Sequence, residues 1–374
     1  MPISSRENLL RSLRCDNPHW IPVCPHLFPN ENPTQGVPAS LEEVLRSSSG
    51  NLALDHLKLG EYLGADDYLL PVEAPAVLVS ATCTTKEERS GTNQLISTLS
   101  TPKGDLRQVT TFSDDAPSLV TERYVKTAAD AVKLIEYFSS LRVELAPDVQ
   151  KVIPDTRTRL GDKGILFCRL PGTPLGMCYR EYSDLTHLIY LLSDEPGIAE
   201  TLFACIEEKF FQLYERILRE APEIDVLVGM DDTSTTLISP AMFEKFNVEV
   251  TNLRADLCHR YGKIYMHHSC GLIRNLLPIY RQTRMNGVDA FTVPPIGDVG
   301  YAEGRRLLGP DYSICSPLTS GLPALDKDTI CRQVADRFQD AHKANNVIFI
   351  VGGADLTFPA MEMLFSQAQE LKQC

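Results

Sequence analysis

The chain has 374 residues, 43% of them apolar and 23% charged, a mixture that suits a globular protein and excludes a disordered, collagen-like or disulfide-stapled one. Its 49 acidic side chains outnumber 36 basic ones and leave a formal charge of −13, which argues against nucleic acid or an anionic membrane surface as a partner. The length suits two average domains or one large α/β barrel, and composition does not choose between them.

In chain order, the start from Met1 to Cys15 carries Arg6, Glu7, Arg11 and Arg14 among single leucines, so no signal-peptide core is expected there. No later apolar run reaches the ~18 residues of a membrane span. Strands are expected at Ile21 to Cys24 and at Asp67 to Val72. Residues 76–125 are Thr/Ser-rich and strand-like and read as an insertion or cap, followed by helices near 127–140 and 144–153. Ile165 to Cys168 is a further strand. From Ile224 onward a regular grammar sets in. The β-branched run Ile224 to Met230 is a buried strand, and Ser239-Pro240 then opens a helix with serine as N-cap and proline at the first helical position. Phe243, Phe246, Val250, Leu253 and Leu257 give that helix one apolar face, and Gly262 ends it. Lys263 to Met266, Val288 to Val293, Asp311 to Cys315 and Val347 to Val351 are the next strands, with helices over about 272–285, 299–308, 325–344 and from Pro359. The eight strands predict a (β/α)8 barrel, a single domain over 1–374 with 76–125 as an insertion within it.

A parallel barrel presents its catalytic groups at the C-terminal ends of its strands. Glu73 follows Val72, Asp231 and Asp232 follow Met230, and His267, His268, Ser269 and Cys270 follow Met266. Asp298 lies in the loop beyond Val293, Cys315 ends the next strand, and Gly352 and Gly353 follow Val351. The sharpest local feature is His268-Ser269-Cys270. Residues i and i+2 of an extended segment project to one side, so imidazole and thiolate could reach one metal. Both are favoured zinc ligands, and a catalytic zinc needs three protein ligands and an open position. The alternative reading is a buried cysteine beside a hydrogen-bonded histidine. Asp231, Asp232, His267 and His268 are the candidate proton-transfer groups, because a carboxyl desolvated beside another has a raised pKa. Cys315 is a candidate further ligand or a buried filler. Glu73, Tyr179, Asp298, Gly352 and Gly353 are candidate substrate contacts. The glycine pair lacks the lysine and hydroxyl of a phosphate loop, and there is no Ser-His-Asp elbow, GxGxxG or HExxH. The eleven cysteines, odd in number and without a CxxC pair, fit reduced thiols in a cytoplasm.

Several of these runs together resemble a known family. They are Gly229-Met230-Asp231-Asp232 with Leu237-Ile238-Ser239-Pro240, His268-Ser269-Cys270-Gly271, Gly287-Val288-Asp289-Ala290 and Pro294-Pro295-Ile296-Gly297-Asp298. With Arg6-Glu7-Asn8-Leu9-Leu10, Ile21-Pro22-Val23 and Leu63-Gly64-Ala65-Asp66, they resemble the uroporphyrinogen decarboxylase superfamily over nearly the whole chain. The resemblance implies a (β/α)8 barrel and one of two chemistries. The decarboxylase branch opens with an arginine-bearing segment that grips tetrapyrrole carboxylates. Here Pro18 to Asn30 carries His19 and His26 but no arginine, and the acidic chain suits such a poly-anion poorly. The cobamide-dependent methyltransferase branch binds zinc through an HxC and a later cysteine and uses it to activate a thiol. His268 and Cys270 stand at the first two ligand positions. Where the third should lie, near the last strand, this chain has Gly352 and Gly353, and Cys315, Glu73 or an aspartate is left to substitute.

The resemblance therefore implies a cytoplasmic methyl- or alkyltransferase acting on a small molecule, with zinc at His268 and Cys270. Asp231 or Asp232 would orient or protonate the substrate. The methyl donor would be a corrinoid carried by a partner protein or a small methylated compound, with no nucleic-acid or membrane partner. Two alternatives stay open. One is a metal-free decarboxylase or lyase of a small carboxylate in which Asp232 and His268 handle protons, the other a barrel that binds a small ligand without turnover.

Overall fold

Eight short segments pair in parallel: β1 (Val23–Pro25), β2 (Tyr68–Val72), β3 (Gly164–Pro171), β4 (Val226–Met230), β5 (Ile264–His268), β6 (Gly287–Asp289), β7 (Ser313–Pro317) and β8 (Val347–Val351). The chain is seen here as a computed structural model that describes residues 3–27, 32, 35–46, 51–113, 118–318, 322, 326–352 and 356–372. The strands follow the order β1-β8-β7-β6-β5-β4-β3-β2, and β1 and β2, at its two ends, lie side by side. Helices separate consecutive strands over the second half of the chain. The fold is a (β/α)8 barrel.

Two compact units make up the chain. Met1–Ala74, Pro147–Leu170 and Leu218–Cys374 carry the barrel, and Pro75–Ala146 with Pro171–Ile217 form the second unit. The second unit holds an antiparallel meander (Thr84–Ser90, Gln94–Thr101, Gly104–Thr111, Leu119–Glu122) and a two-stranded ribbon of Ala76–Ser80 with Leu141–Leu145. The helix expected near 144–153 therefore begins later, at Pro147–Leu160, because Leu141–Leu145 alternates and pairs with Ala76–Ser80.

Inside the barrel, Ile165, Phe167, Val226, Val228, Ile264, Met266, Ile348 and Ile350 form one apolar core. Leu9 and Leu13 of the helix Ser5–Arg14 belong to the same core. That helix is started by Ser4, whose side chain accepts from the Glu7 N–H, and is tethered by Arg6, which donates to both carboxylate oxygens of Asp225 at 2.7 and 2.6 Å. Asp225 stands just before β4, so the helix packs against the barrel at the end opposite the rim.

Two elements differ from the sequence pattern. The helix expected over 272–285 shrinks to Leu277–Tyr280, and the backbone N–H groups of Ile273 and Arg274 ahead of it donate to the Asp298 carboxylate at 2.9 and 3.0 Å. The strand expected over Val288 to Val293 ends at Asp289, because Ala290 turns the chain with φ +61°. No helix among the described residues is long and apolar enough to cross a membrane.

Candidate metal centre

Strand alternation decides what reaches the barrel interior. Ile264 and Met266 face the core from β5, so His268 is the next inward position; on β3, Ile165 and Phe167 are followed by Arg169; on β1, Cys24 is followed by His26. The ladder sets Met230, His268 and Asp289 side by side on β4, β5 and β6. A polar layer thus lies directly above the apolar one. Just beyond it, Asp232 bends the chain after β4 with φ +50°, and Gly271 does the same after Cys270 with φ +78°. Aspartate and glycine enter this left-handed region at less cost than most residues.

Those turns bring three different donor atoms together. His268 Nε2 lies 2.9 Å from Asp232 Oδ1, and Cys270 Sγ lies 4.0 Å from the same oxygen. The ligand atoms of Asp232, His268 and Cys270 all fall within 4.8 Å of one another, the one such set of three among the described residues. In a tetrahedral site with bonds of ~2.0–2.3 Å, ligand atoms stand roughly 3.3–3.8 Å apart, so small side-chain adjustments suffice for zinc. On its other side, His268 Nδ1 is 2.7 Å from Asp289 Oδ2. A carboxylate behind a ligating histidine is the support that fixes its ring and tautomer. The donor set, its support and the count of ligands fit a zinc ion with one position left for a substrate.

The electrostatics follow from this packing. Burial by itself lowers the pKa of His268, but hydrogen bonds to Asp232 and Asp289 outweigh it and hold the imidazole well above its ordinary value. Burial likewise pushes Asp289 up, and the bond and charge of His268, with Arg169 beyond, pull it below the usual carboxylate range. Access remains: the Asp232 side chain keeps 34% of its surface exposed against 15% for His268.

Asp231 and His267 form a second pair with a different setting. Both are wholly buried, with His267 Nδ1 3.3 Å from Asp231 Oδ2 but misaligned for a hydrogen bond. His267 Nε2 meets Thr233 Oγ1 at 2.9 Å, and its ring packs edge-on against Phe243 and Tyr280. Burial lowers the His267 pKa more than Asp231 restores it. Alternation turns His267 to the face of β5 opposite His268, against the helix that follows β4.

The remaining sequence candidates are placed as follows. Asp232, and not Cys315, completes the three-donor set in this geometry. Cys315 is buried in the core on β7, and burial with the nearby Asp289 charge drives its thiol pKa well up. Glu73 lines a separate cavity of about 210 Å³ with Val72, Val149 and Ile153. Asp298 fixes the loops after β5 and β6 to each other through Ile273 and Arg274. Gly352 is buried where a Cβ would come within 2.0 Å of the His26 carbonyl oxygen, so no ligating side chain fits there. Tyr179 is buried in the second unit, within Cys178–Tyr182. Gly353 lies outside the described residues.

Sequence reasoning did not single out Asp289, Arg169, His26 or His56. Asp289 fell inside the strand expected over Val288 to Val293, and its place at a strand end shows only in the fold, where the strand stops at Gly287–Asp289. Arg169 sits two residues beyond Phe167 in an apolar run, and only the period-2 alternation marks it as inward.

No family model and no curated protein matches this sequence. Among solved structures, a methyltransferase from Methanosarcina mazei is similar over 99% of both chains, with TM-score 0.61 and 14% identity. The likeness is one of fold. A D-psicose 3-epimerase aligns with 59% of this chain and 81% of its own at TM-score 0.36 and 11% identity. A putative vitamin-B12 independent methionine synthase from Listeria monocytogenes aligns with 59% of this chain and 66% of its own at TM-score 0.34 and 14% identity.

Proposed function

We propose that this barrel is a methyl- or alkyltransferase that activates a small thiol at a zinc held by Asp232, His268 and Cys270. The observation that carries the reading is the convergence of a carboxylate oxygen, an imidazole nitrogen and a thiol sulfur within 4.8 Å at the rim of the barrel. The whole-chain likeness in fold to a methyltransferase is in keeping with it. Zinc at such a site supplies Lewis acidity that lowers the pKa of a thiol at its open position. His268 is held for this task by Asp289 on Nδ1, and the partly exposed Asp232 faces the incoming substrate. In the reaction the thiol sulfur forms a bond to the methyl carbon, the bond from that carbon to its donor breaks with the electron pair leaving on the donor, and the thiol proton passes to solvent. The donor is a methylated corrinoid on a partner protein or a small methylated compound, as the sequence resemblance implies.

Metal analysis of the purified protein and a thiol-alkylation assay test the reading. About one zinc per chain is expected, with metal and activity lost together in Asp232→Ala, His268→Ala and Cys270→Ala. No bound zinc and full activity in His268→Ala would overturn it. Carbon dioxide release from a small carboxylate without added metal would favour the decarboxylase alternative.

A further inference from the structure

His268 and Cys270 project to one side at the end of β5, and by alternation His267 and Ser269 belong to the other. Both of the latter are fully buried, and both close on Thr233, the residue that follows Asp232. Ser269 Oγ donates to the Thr233 carbonyl at 2.7 Å, and His267 Nε2 meets Thr233 Oγ1 at 2.9 Å. A serine has one hydroxyl hydrogen and a carbonyl only accepts, so that hydrogen is committed to Thr233. The contact of Ser269 Oγ with the Tyr280 hydroxyl, also 2.7 Å, therefore runs from the tyrosine to the serine. The main chain of Ser269 is fixed as well. Its N–H donates to the Asp289 carbonyl at 2.9 Å and carries the pairing of β5 with β6 one residue past His268.

The consequence falls on Asp232. It stands on the loop after β4 in a left-handed turn, with its side chain 2.9 Å from His268 Nε2. An imidazole nitrogen that ligates a metal has neither lone pair nor proton to share with a carboxylate. With His268 so engaged, Asp232 depends on its own backbone to stay in place, and Ser269 fastens that backbone one residue away. We propose that Ser269 is a positioning residue that sets the third ligand: through the Thr233 carbonyl it holds the loop after β4 where Asp232 meets His268 and Cys270. The inference rests on the zinc reading above. The tetrapeptide 267–270 then serves the site from both faces, one supplying two ligands and the other holding the segment that brings the third. Ser269 contributes more than His267 because it grips main chain, whereas His267 grips a side chain.

The test measures metal binding by the full-length protein in Ser269→Ala and Tyr280→Phe. Zinc affinity, read by chelator competition, should fall about 10- to 100-fold in Ser269→Ala, the range for groups that support a metal ligand from behind. Cobalt(II) is the spectroscopic probe. In the wild type it should give a thiolate charge-transfer band and the strong visible bands of a four-coordinate ion. In Ser269→Ala the charge-transfer band should persist, because Cys270 still ligates, while the visible bands weaken as water replaces Asp232 and the coordination number rises. Tyr280→Phe removes a hydroxyl from the same buried pair but leaves the bond from Ser269 to Thr233, so it should keep wild-type affinity and spectrum. A general loosening of the barrel would lower affinity in both variants. Wild-type affinity and spectrum in Ser269→Ala, or equal losses in the two variants, would overturn the proposal. Should Ser269→Ala fail to fold, the double variant with Tyr280→Phe removes the orphaned hydroxyl along with its partner and carries the same expectation. A wild type that binds neither zinc nor cobalt would sink the zinc reading and this inference with it. Tight binding by the wild type and Ser269→Ala alike would sink this inference alone.

Discussion

A Cβ at position 352 would stand 2.0 Å from the His26 carbonyl oxygen and 2.9 Å from its carbon, and backbone does not yield as a flexible side chain does. Gly352→Cys, which places a cysteine after β8, should therefore destabilise the protein by about 1–3 kcal/mol in urea denaturation, at the upper end because the clash is with main chain. An unchanged midpoint would show that β1 and β8 can part at the rim. His56 offers a second measurement at this scale. It is buried with Nε2 accepting from the Leu27 N–H and Nδ1 meeting the Leu52 carbonyl, both at 2.8 Å, and it faces His26 and lies near Arg169. Burial drives its pKa down to about 3. The unfolded chain takes up this proton near pH ~6.5 and the folded chain does not, so stability is intact above that pH and declines as pH falls toward about 3. Between pH 7 and pH 5 His56 should account for a loss of about 2 kcal/mol. Urea titrations at the two pH values should show a shallower decline in His56→Gln, and an identical decline would refute the assignment.

The helix Ser5–Arg14 shows how an element outside the barrel shapes its interior. Leu9 and Leu13 are 0% and 3% exposed and belong to the core that supports the polar layer above. Leu13 also lines the small cavity that Arg169 and Asp289 reach, so Leu13→Ala enlarges the space beneath the site. The expected cost is about 2–5 kcal/mol by chemical denaturation, with zinc stoichiometry unchanged. Elements of this kind differ in how far the sequence announces them. The strand Val347–Val351 and the helix Lys327–Ala344 stand out because runs of β-branched residues and a 3.6 period are local properties. His268 and Cys270 are legible for the same reason, as an i, i+2 pair on one extended segment. The bounds of the short helix Leu277–Tyr280 were not, and the loop ahead of it is tied to Asp298, more than twenty positions away, through the N–H groups of Ile273 and Arg274. Asp232 was legible as one of two adjacent aspartates. Its separation from Asp231 depends on a left-handed turn at φ +50°, which sends one carboxylate toward Cys270 and leaves the other buried beside His267. Arg169 is marked as inward only by the alternation along β3, which carries it from the apolar layer to the cavity it shares with Asp289.

At the scale of the whole molecule, a parallel barrel collects its site from segments distant in sequence, and the three donors arrive on two neighbouring strand ends. Asp232 follows β4, while His268 ends β5 and Cys270 lies two residues on. A zinc ion held by all three binds the folded chain and loses its site when the barrel opens, so occupancy and folding are linked. With free zinc at a hundred times the dissociation constant, linkage adds about 2.7 kcal/mol of stability. Thermal unfolding should therefore shift upward by a few degrees when zinc is added to chelator-treated protein. The quantity to compare across variants is this increment rather than the melting temperature itself, because removing a thiol from the core lowers stability on its own account. Cys315→Ser should melt earlier than the wild type, since Cys315 is buried among apolar side chains, yet it should keep the full zinc increment. Cys270→Ser should start near the wild-type melting temperature and lose most of the increment. The opposite pattern, an increment lost with Cys315 and kept without Cys270, would move the metal from the rim into the barrel interior and overturn the ligand set on which the proposed chemistry stands.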